Sequence, residues 1–223
     1  GFLPLGKFCT AFLKDAKKPL DIAVERADGE VVMAVIDGRF RGEGEGATIA
    51  ETAYIARLLA TMGEMNQSYS YWTFGDVFEE QGVPFTPFHG GFGLVANGCI
   101  PKPTFWTFAF FKKLQGECLL RNNEVVAVKR DDGTVAGVAW NLEQETKGET
   151  KLTFTLPAEG RWCLLTRTVD DDHANPLKVW HDLGEPAQLS AQQTKLLQES
   201  AAPLVKTAGL QAEGGNVTFT LNL

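Results

Sequence analysis

The chain has 223 residues, of which 44% are hydrophobic and 22% charged, and this globular composition suits one large domain or two small ones. The formal net charge of −7 argues against a nucleic-acid-binding surface, because that function needs Lys and Arg clustered on one face. No apolar run reaches the roughly 18–20 residues that a membrane-spanning helix needs, so we expect no membrane segment.

The chain has four cysteines without CxxC spacing: Cys9, Cys99, Cys118 and Cys163. A chain of this length does not depend on disulfides for stability, so we expect reduced thiols and a cytoplasmic location. The start of the chain lacks the basic and apolar regions of a signal peptide, but a signal removed by processing would not be visible, and secretion stays open. No cofactor is indicated. The cluster of His173 with residues 170–172 is interpreted as a solvated loop rather than a metal site.

Two segments place Asp-Gly between runs of alternating apolar residues: IAVERADGEVVMAVI (22–36) and VAVKRDDGTVAGVAW (126–140). Asp-Gly at such a junction is a strong hairpin signal, because both central residues of a type I′ turn need positive φ. Each segment is therefore predicted to form a β-hairpin. Residues 38–47 read GRFRGEGEGA and lack the glycine spacing and Lys-Ser/Thr pair of a phosphate-binding loop, so we interpret them as a flexible connection.

Residues 48–66 predict a helix, because Thr48 and Glu51 form a capping box and apolar residues recur on one wide face. The aromatic, alternating stretch 68–74 predicts a strand.

A second helix is predicted for residues 104–115, with Gly116 at its end. Helix, strand, long loop and helix in this order are typical of a parallel barrel or a doubly wound sheet.

After residue 116 the pattern changes to short strands, which predicts a β-sandwich. The predicted strands are CLLRNN, EVVAVKR, TVAGVAWNL, TKLTFTLP, WCLLTRTV and NVTFTLNL. One helical stretch, 190–205 with Ser190 as its N-cap, interrupts them. We therefore divide the chain into an N-terminal hairpin and connection (1–47), a βα segment (48–116) and a sandwich domain (117–223).

The motifs SYWTFGDVFEE (70–80), PFHGGFGL (87–94) and IPKP (100–103) together resemble the bacterial β-xylosidases of glycoside hydrolase family 39. The resemblance continues through RDDGTVAGVAWN and DDDHANPLKVWHDLGEP. That family is a (β/α)₈ barrel that carries a β-sandwich. The resemblance therefore implies an α+β, mainly β chain, with a β-sandwich domain and a partial (β/α) barrel-like segment.

In that family frame, residues 48–66 would be the seventh barrel helix, 68–74 the eighth strand and 104–115 the eighth helix. Residues 75–100 would then form the loop at the C-terminal face of the barrel, where barrel active sites lie. Asp76 in this loop is interpreted as a loop or helix cap rather than a catalytic acid.

The resemblance also implies a sugar-binding wall. Trp72 would be the aromatic platform under the bound sugar, and Glu79 or Glu80 would accept hydrogen bonds from its hydroxyls. Phe88 and His89 would line or buttress the pocket. Alternatives stay open: Trp72 could belong to the core, only one of the two adjacent glutamates could point inward, and His89 could stabilise a turn.

A retaining glycosidase needs two carboxyl groups about 5–5.5 Å apart. In the family they come from a Thr-Glu-aromatic-Asn motif on strand seven and an Asn-Glu-Pro motif on strand four, and this sequence contains neither. Its one Asn-Glu pair, at 123–124, falls in a predicted hairpin of the sandwich. VVMAVIDG (31–38) takes the place of strand seven, which leaves Asp37 as the nearest candidate for a catalytic carboxylate.

A full barrel takes about 250 residues, whereas only 71 residues precede Trp72. We therefore predict a component or truncated relative of a retaining β-xylosidase-like hydrolase that acts on xylo-oligosaccharides or β-xylosides. This chain alone would lack both catalytic carboxylates. Another chain or a homo-oligomer would complete the barrel, unless residues 1–47 cover the remnant. The alternatives are a non-catalytic carbohydrate-binding or assembly module, and a decayed relative without a ligand.

Overall fold

The structure is a computed structural model that describes residues 28–37, 49–62, 68–77, 82, 84–142 and 150–223. Within these residues the chain forms short and long strands, which are β1 (Gly29–Asp37), β2 (Val95–Ala96), β3 (Ile100–Pro101), β4 (Glu117–Arg121), β5 (Val125–Lys129), β6 (Val135–Asn141), β7 (Lys151–Pro157), β8 (Arg161–Val169), β9 (Leu204–Gln211) and β10 (Asn216–Asn222). The helices are α1 (Ile49–Met62), α2 (Pro103–Phe111), α3 (Pro176–Asp182) and α4 (Ala191–Ser200).

The largest sheet has six strands in the order β4-β5-β6-β1-β8-β9. Strand β1 lies inside this sheet and runs parallel to both neighbours, so that Ala34 is aligned with Val138 of β6 and Arg167 of β8. The remaining pairs in the sheet are antiparallel. A separate antiparallel pair joins β7 to β10.

One face of the six-stranded sheet packs on the β7–β10 pair. Val31, Met33 and Val35 of β1 share a core cluster with residues of both these strands. In that cluster the rings of Phe154 and Phe219 stack with their centroids 5.0 Å apart. These two layers form the β-sandwich.

The opposite face of the same sheet packs on helices α1 and α2. Ala34 and Ile36 of β1 lie in a second core cluster together with Ala53 of α1 and Trp106 of α2. Because successive side chains of a strand point to opposite faces, the central residues 31–36 of β1 must be apolar at successive positions to serve both clusters. Its sequence VVMAVI meets this requirement, as is usual for a parallel strand covered on both sides.

The two predictions made for residues 29–37 are wrong. Both edges of β1 are paired, one with β6 and one with β8, so no edge remains for a hairpin partner through Asp28 and Gly29. The same pairing places VVMAVID in the sandwich sheet instead of a barrel strand. Residues 22–27 and 38–47, which belonged to these predictions, lie outside the described residues.

The hairpin predicted at 126–140 is confirmed, but its turn differs. Strands β5 and β6 pair antiparallel, with Lys129 aligned with Val135. The Arg130 N–H donates to the Thr134 carbonyl at 2.9 Å, and among the residues between them Gly133 has a positive φ of 84°. A three-residue loop with one left-handed glycine replaces the two-residue type I′ turn that we predicted.

The two helices predicted around the strand at 68–74 are confirmed, with a different end for the second. Helix α2 begins at Pro103 and ends at Phe111, before the predicted end at residue 115. The helices meet at threonines: the Thr52 and Thr104 hydroxyls are 3.2 Å apart, and the Thr107 hydroxyl donates to the Thr52 carbonyl at 3.1 Å. The predicted end of the first helix, after Met62, lies outside the described residues.

The helix predicted for 190–205 is too long. Helix α4 begins after Ser190, which forms a reciprocal capping box with Gln193, and it ends at Ser200. Pro203 has no N–H to continue the helix, and the chain turns into β9, which pairs with β8.

Helix α3 was not predicted. Its signals are Asn175, whose side chain accepts a hydrogen bond from the Lys178 N–H, and Pro176 in the first turn. None of the helices in the described part of the chain is long and apolar enough to cross a membrane. The division into three parts at residues 47 and 116 stays a prediction.

Candidate functional site

Residues 68–77 form an extended segment, and one of its faces packs on the helices. The ring centroids of Tyr69 and Tyr71 lie 6.1 and 5.5 Å from that of Phe108 on α2. The Tyr71 hydroxyl donates to Glu51 Oε1 of α1 at 2.8 Å. Burial, with the hydrogen bond to Glu51 as a further cause, raises the pKa of Tyr71 above its ordinary value, so this hydroxyl stays protonated at neutral pH.

Two other aromatic side chains of this segment are exposed. Trp72 is 66% exposed and Phe74 is 44% exposed. The peptide bond between Trp72 and Thr73 is cis. The exposure of Trp72 contradicts the alternative in which this side chain belongs to the core.

The regular strand predicted at 68–74 is wrong. In the part of the chain that the structure describes, residues 68–72 join no ladder, and backbone pairing begins at Thr73, whose N–H donates to the Phe92 carbonyl at 3.2 Å. This pairing brings the backbone of Phe92 next to the segment that carries Trp72. The side chain of Phe92 is 62% exposed. Three exposed side chains from these two segments are called the aromatic surface below: Trp72, Phe74 and Phe92.

A buried ion pair lies directly behind this segment. The side chains of Asp76 and Lys102 are 0% and 5% exposed, and Lys102 Nζ lies 2.9 Å from Asp76 Oδ1 and 2.7 Å from Oδ2. Asp76 Oδ1 also accepts the Gly93 N–H at 2.7 Å, while Lys102 Nζ donates to the Gly91 carbonyl at 2.7 Å. Asp76 therefore accepts a loop N–H, as the predicted loop cap would, and its carboxylate has a second role that we did not predict. Asp76 is the counter-ion of Lys102.

The glycines of the HGGFGL motif allow this close packing. A Cβ atom added to Gly91 would lie 2.6 Å from Asp76 Oδ1, and one added to Gly93 would collide with the backbone N of Asp76. A side chain at either position would push the loop away from the ion pair. The motif needs glycine because two stretches of backbone approach each other here.

The same loop packs on the two helices that lie between strands β8 and β9. Phe88 and Trp180 of α3 are each 7% exposed, and their ring centroids lie 5.6 Å apart. Gln198 of α4 donates to the Gly98 carbonyl at 2.7 Å. Phe88 thus buttresses the loop from within a core cluster. The enclosed ring fits the second of the two predicted roles, that of buttressing the pocket rather than lining it.

His89 lies between the buried Phe88 and the glycines at 90 and 91. It is partly buried, and a Cβ added to Gly91 would lie 2.8 Å from His89 Cε1, so the ring sits directly over the loop backbone. This position suits both a ligand contact and a turn-stabilising residue, and both interpretations stay open. Glu79 and Glu80 lie outside the described residues, and their predicted roles stay predictions.

Asp37 does not lie on a barrel strand. It is the last residue of β1 and is aligned with Asn141 at the end of β6 in the sandwich sheet. The reason for placing a catalytic carboxylate here was its supposed position on strand seven, and the sheet topology removes that reason.

In the described ranges, no group of three or more His, Cys, Asp and Glu side chains is arranged to hold a metal ion. The acidic loop at 170–173 is closed by its own backbone instead. Asp170 Oδ1 accepts the N–H groups of Asp172 and His173 at 2.9 and 2.8 Å.

The chain is similar to known proteins over most of its length. The sequence model for "Glycosyl hydrolases family 39" matches residues 45–218. The chain belongs to glycoside hydrolase family 39. A β-xylosidase of Geobacillus stearothermophilus is 42% identical over 180 residues, which are 79% of this chain and 35% of that protein. A β-xylosidase of Caldicellulosiruptor saccharolyticus is 30% identical over 174 residues, which are 70% of this chain and 34% of that protein.

Solved structures of the family share the fold. A GH39 enzyme from Xanthomonas axonopodis pv. citri superimposes with a TM-score of 0.67 at 25% identity, over 78% of this chain and 38% of that one. A GH39 β-xylosidase from Caulobacter crescentus gives a TM-score of 0.51 at 23% identity, over 79% of this chain and 40% of that one. These likenesses confirm the predicted fold class, a β-sandwich with a partial barrel-like segment. The chain spans about a third of the length of the two β-xylosidases that it matches in sequence.

Proposed function

We propose that this chain supplies the non-catalytic wall of a β-xyloside-binding site in a family 39 glycoside hydrolase. The assembled enzyme would hydrolyse β-xylosides or xylo-oligosaccharides with retention, and the two catalytic carboxylates would come from polypeptide outside these 223 residues. The family membership and the two β-xylosidase relatives support this substrate class. The carbohydrate is the proposed ligand, and a chain that completes the barrel is the proposed partner.

The observation that carries the proposal is the exposure of Trp72. Tyr69 and Tyr71 pack on Phe108 of α2, whereas the Trp72 side chain is 66% exposed, and in the proposed assembly it would face the interior of the barrel. A flat apolar indole suits the face of a pyranose ring. Glu79 and Glu80 follow Trp72 in the sequence and would accept hydrogen bonds from the sugar hydroxyls, and His89 would be a further contact.

We expect Trp72→Ala to abolish or strongly weaken the binding of xylobiose while the protein stays folded. Loss of the platform should lower the affinity at least about tenfold, which corresponds to about 1.4 kcal/mol. The free energy of unfolding should change by less than about 1 kcal/mol, because the substitution removes an exposed side chain. Isothermal titration calorimetry and chemical denaturation measure the two effects.

Tyr54→Ala is the matched control for this experiment. It also removes an aromatic side chain that is half exposed, but from the surface of α1. Xylobiose affinity should match that of the wild type. Equal affinity of wild type and Trp72→Ala would show that the aromatic surface is not the sugar platform.

The intact 24.4 kDa chain is expected not to hydrolyse an aryl β-xyloside. The sequence contains neither an Asn-Glu-Pro nor a Thr-Glu-aromatic-Asn motif, and Asp37 lies in the sandwich sheet. Release of the aryl group, followed by absorbance on a chain of confirmed mass, measures turnover. Turnover by the homogeneous chain would mean that another carboxylate has taken the catalytic role.

A second candidate is a carbohydrate-binding or assembly module that works without catalysis. The exposed aromatic surface on a chain without the family's catalytic motifs favours it. The two functions differ in their partner. A hydrolase component should co-purify with a larger polypeptide that carries Asn-Glu-Pro, whereas a binding module should bind xylobiose as a monomer or homo-oligomer.

A further inference from the structure

We infer that Asp76 and Lys102 are positioning residues that fix the loop of the proposed sugar wall. The pair joins three separate segments: the end of the Trp72 segment, the HGGFGL loop and the start of α2. Each segment contributes a charged group or a backbone group to the pair. The inference rests on the proposed function, because the HGGFGL loop that the pair holds carries His89, one of the proposed sugar-contacting residues.

The ion pair binds the loop at two backbone groups and connects it to helix α2. Asp76 binds the loop through the Gly93 N–H, and Lys102 binds it through the Gly91 carbonyl, each at 2.7 Å. The Lys102 side chain comes from the N-cap position of α2, so the same atoms tie the loop to the helix. The Lys102 N–H adds a further bond to the Leu94 carbonyl at 2.9 Å. Residues 91–94 are thereby held from both sides.

Because Asp76 and Lys102 are buried, neither can lose its partner without leaving a charge away from water. Both side chains are almost completely enclosed, so removal of one partner would leave the other charge without a counter-ion and away from water. A buried ion pair of this kind is weak support for overall stability, but it does specify a single arrangement of the groups around it. The arrangement specified here is that of Gly91 and Gly93 against the backbone that follows Trp72.

The pair therefore has a role distinct from contact with substrate. Asp76 is fully enclosed and cannot reach a sugar, so its effect must pass through the loop that it holds. The loop carries His89 and Phe92, and the backbone that pairs with it carries Phe74 and begins directly after Trp72. The geometry of the proposed wall depends on two residues that do not belong to the wall itself.

The test uses hydrogen exchange and sugar binding on the full 223-residue chain. Asp76→Asn keeps the shape and an acceptor for the Gly93 N–H but removes the charge. In this variant the amides of residues 88–95 should exchange at least about tenfold faster, while those of β5, β6 and β8 keep their wild-type protection. The affinity for xylobiose should fall at least about fivefold.

Two further variants separate positioning from general destabilisation. Phe219→Leu weakens the stack on Phe154 in the sandwich core, away from the loop, and should leave the exchange of residues 88–95 and the xylobiose affinity unchanged. The double variant Asp76→Asn with Lys102→Gln removes both charges from this buried site and serves if the single variant does not fold. It should show the same local loss of protection as Asp76→Asn.

The outcomes test the positioning role of the ion pair and the proposed sugar-binding function independently. Wild-type protection of residues 88–95 in Asp76→Asn or in the double variant would overturn the inference, as would lost protection with unchanged xylobiose affinity. If the wild type does not bind xylobiose, the proposed function fails, and local exchange alone then decides whether the pair holds the loop. Local loss of protection together with loss of affinity supports both.

Discussion

Replacing Trp180 by alanine is expected to lower the free energy of unfolding by about 3–5 kcal/mol. The indole is 7% exposed, its ring lies 5.6 Å from that of Phe88, and its Nε1–H donates to the Pro186 carbonyl at 3.1 Å. The substitution would leave a cavity between the HGGFGL loop and helices α3 and α4. It would also leave the Pro186 carbonyl without this donor. Equilibrium unfolding in denaturant measures the loss.

Trp162→Ala is the control for this prediction. Trp162 lies on β8, is partly exposed and donates its Nε1–H to the Glu159 carbonyl at 3.0 Å, so the same chemical groups are deleted at a site within the sandwich. We expect a smaller loss of stability and unchanged hydrogen exchange in residues 84–100. In Trp180→Ala the amides of 84–100 should lose protection. A loss below about 1 kcal/mol in Trp180→Ala would contradict a shared core between the loop and helix α3.

This prediction bears on how the chain divides. The loop of the proposed site packs on α3 through Phe88, and the Trp106 Nε1–H of α2 donates to the Ala201 carbonyl at 2.7 Å. The helices between sandwich strands β8 and β9 thus support the barrel-like segment directly. A sandwich that only accompanied the barrel would make no such contacts. The proposed sugar wall depends on both parts of the chain for its shape.

Local patterns in the sequence predicted the strands of the sandwich well. Alternating residues in KLTFTLP and NVTFTLNL place Phe154 and Phe219 on one face, and the two strands pair as such patterns require. The hairpin at 126–140 was recognised from Asp-Gly alone. The helix boundaries failed where a single residue decides them, as Pro203 does after α4. The resemblance in the SYWTF and HGGFGL motifs, rather than periodicity, indicated the family.

The partners of a strand could not be predicted in the same way. VVMAVI is apolar on both faces, and this pattern fits a hairpin, a barrel strand or the centre of a parallel sheet. Only contacts with distant residues, such as that of Ala34 with Val138 and Arg167, distinguish these arrangements. The Asp-Gly at 28–29 favoured the hairpin, but two competing strands occupy both edges.

In the candidate site, too, the sequence motifs predicted some residues, whereas contacts between distant residues were missed. Trp72 and His89 were identified from the motifs, and the structure adds the exposure of the first. The ion pair of Asp76 with Lys102 was missed, because the two residues lie in different motifs and each has an ordinary interpretation as a cap or a surface lysine. The signal that could have found it is the lysine enclosed between two prolines in IPKP, next to three glycines that require close backbone contact.

The position of β1 inside the sheet leads to the second large effect. Ala34→Pro is expected to lower the free energy of unfolding by about 3 kcal/mol or more, because proline removes an N–H from a strand that is paired on both edges. Ala34→Gly keeps the N–H and should cost only about 0.5–1 kcal/mol from backbone freedom, apart from the lost methyl group. Denaturant unfolding of the two variants isolates the contribution of the ladder.

The difference between the two variants tests the fold more directly than either value. If residues 29–37 formed a hairpin or a loose connection, proline and glycine at Ala34 would have similar, small effects. A central strand instead links β6 to β8, and its disruption separates the β4-β5-β6 half of the sheet from the β8-β9 half. Unfolding of Ala34→Pro should then expose both core clusters, since Val35 and Ile36 on neighbouring positions serve opposite faces. A polypeptide that began after Asp37 would retain the SYWTF, HGGFGL and IPKP motifs and still lack the strand that joins the two halves of the sheet.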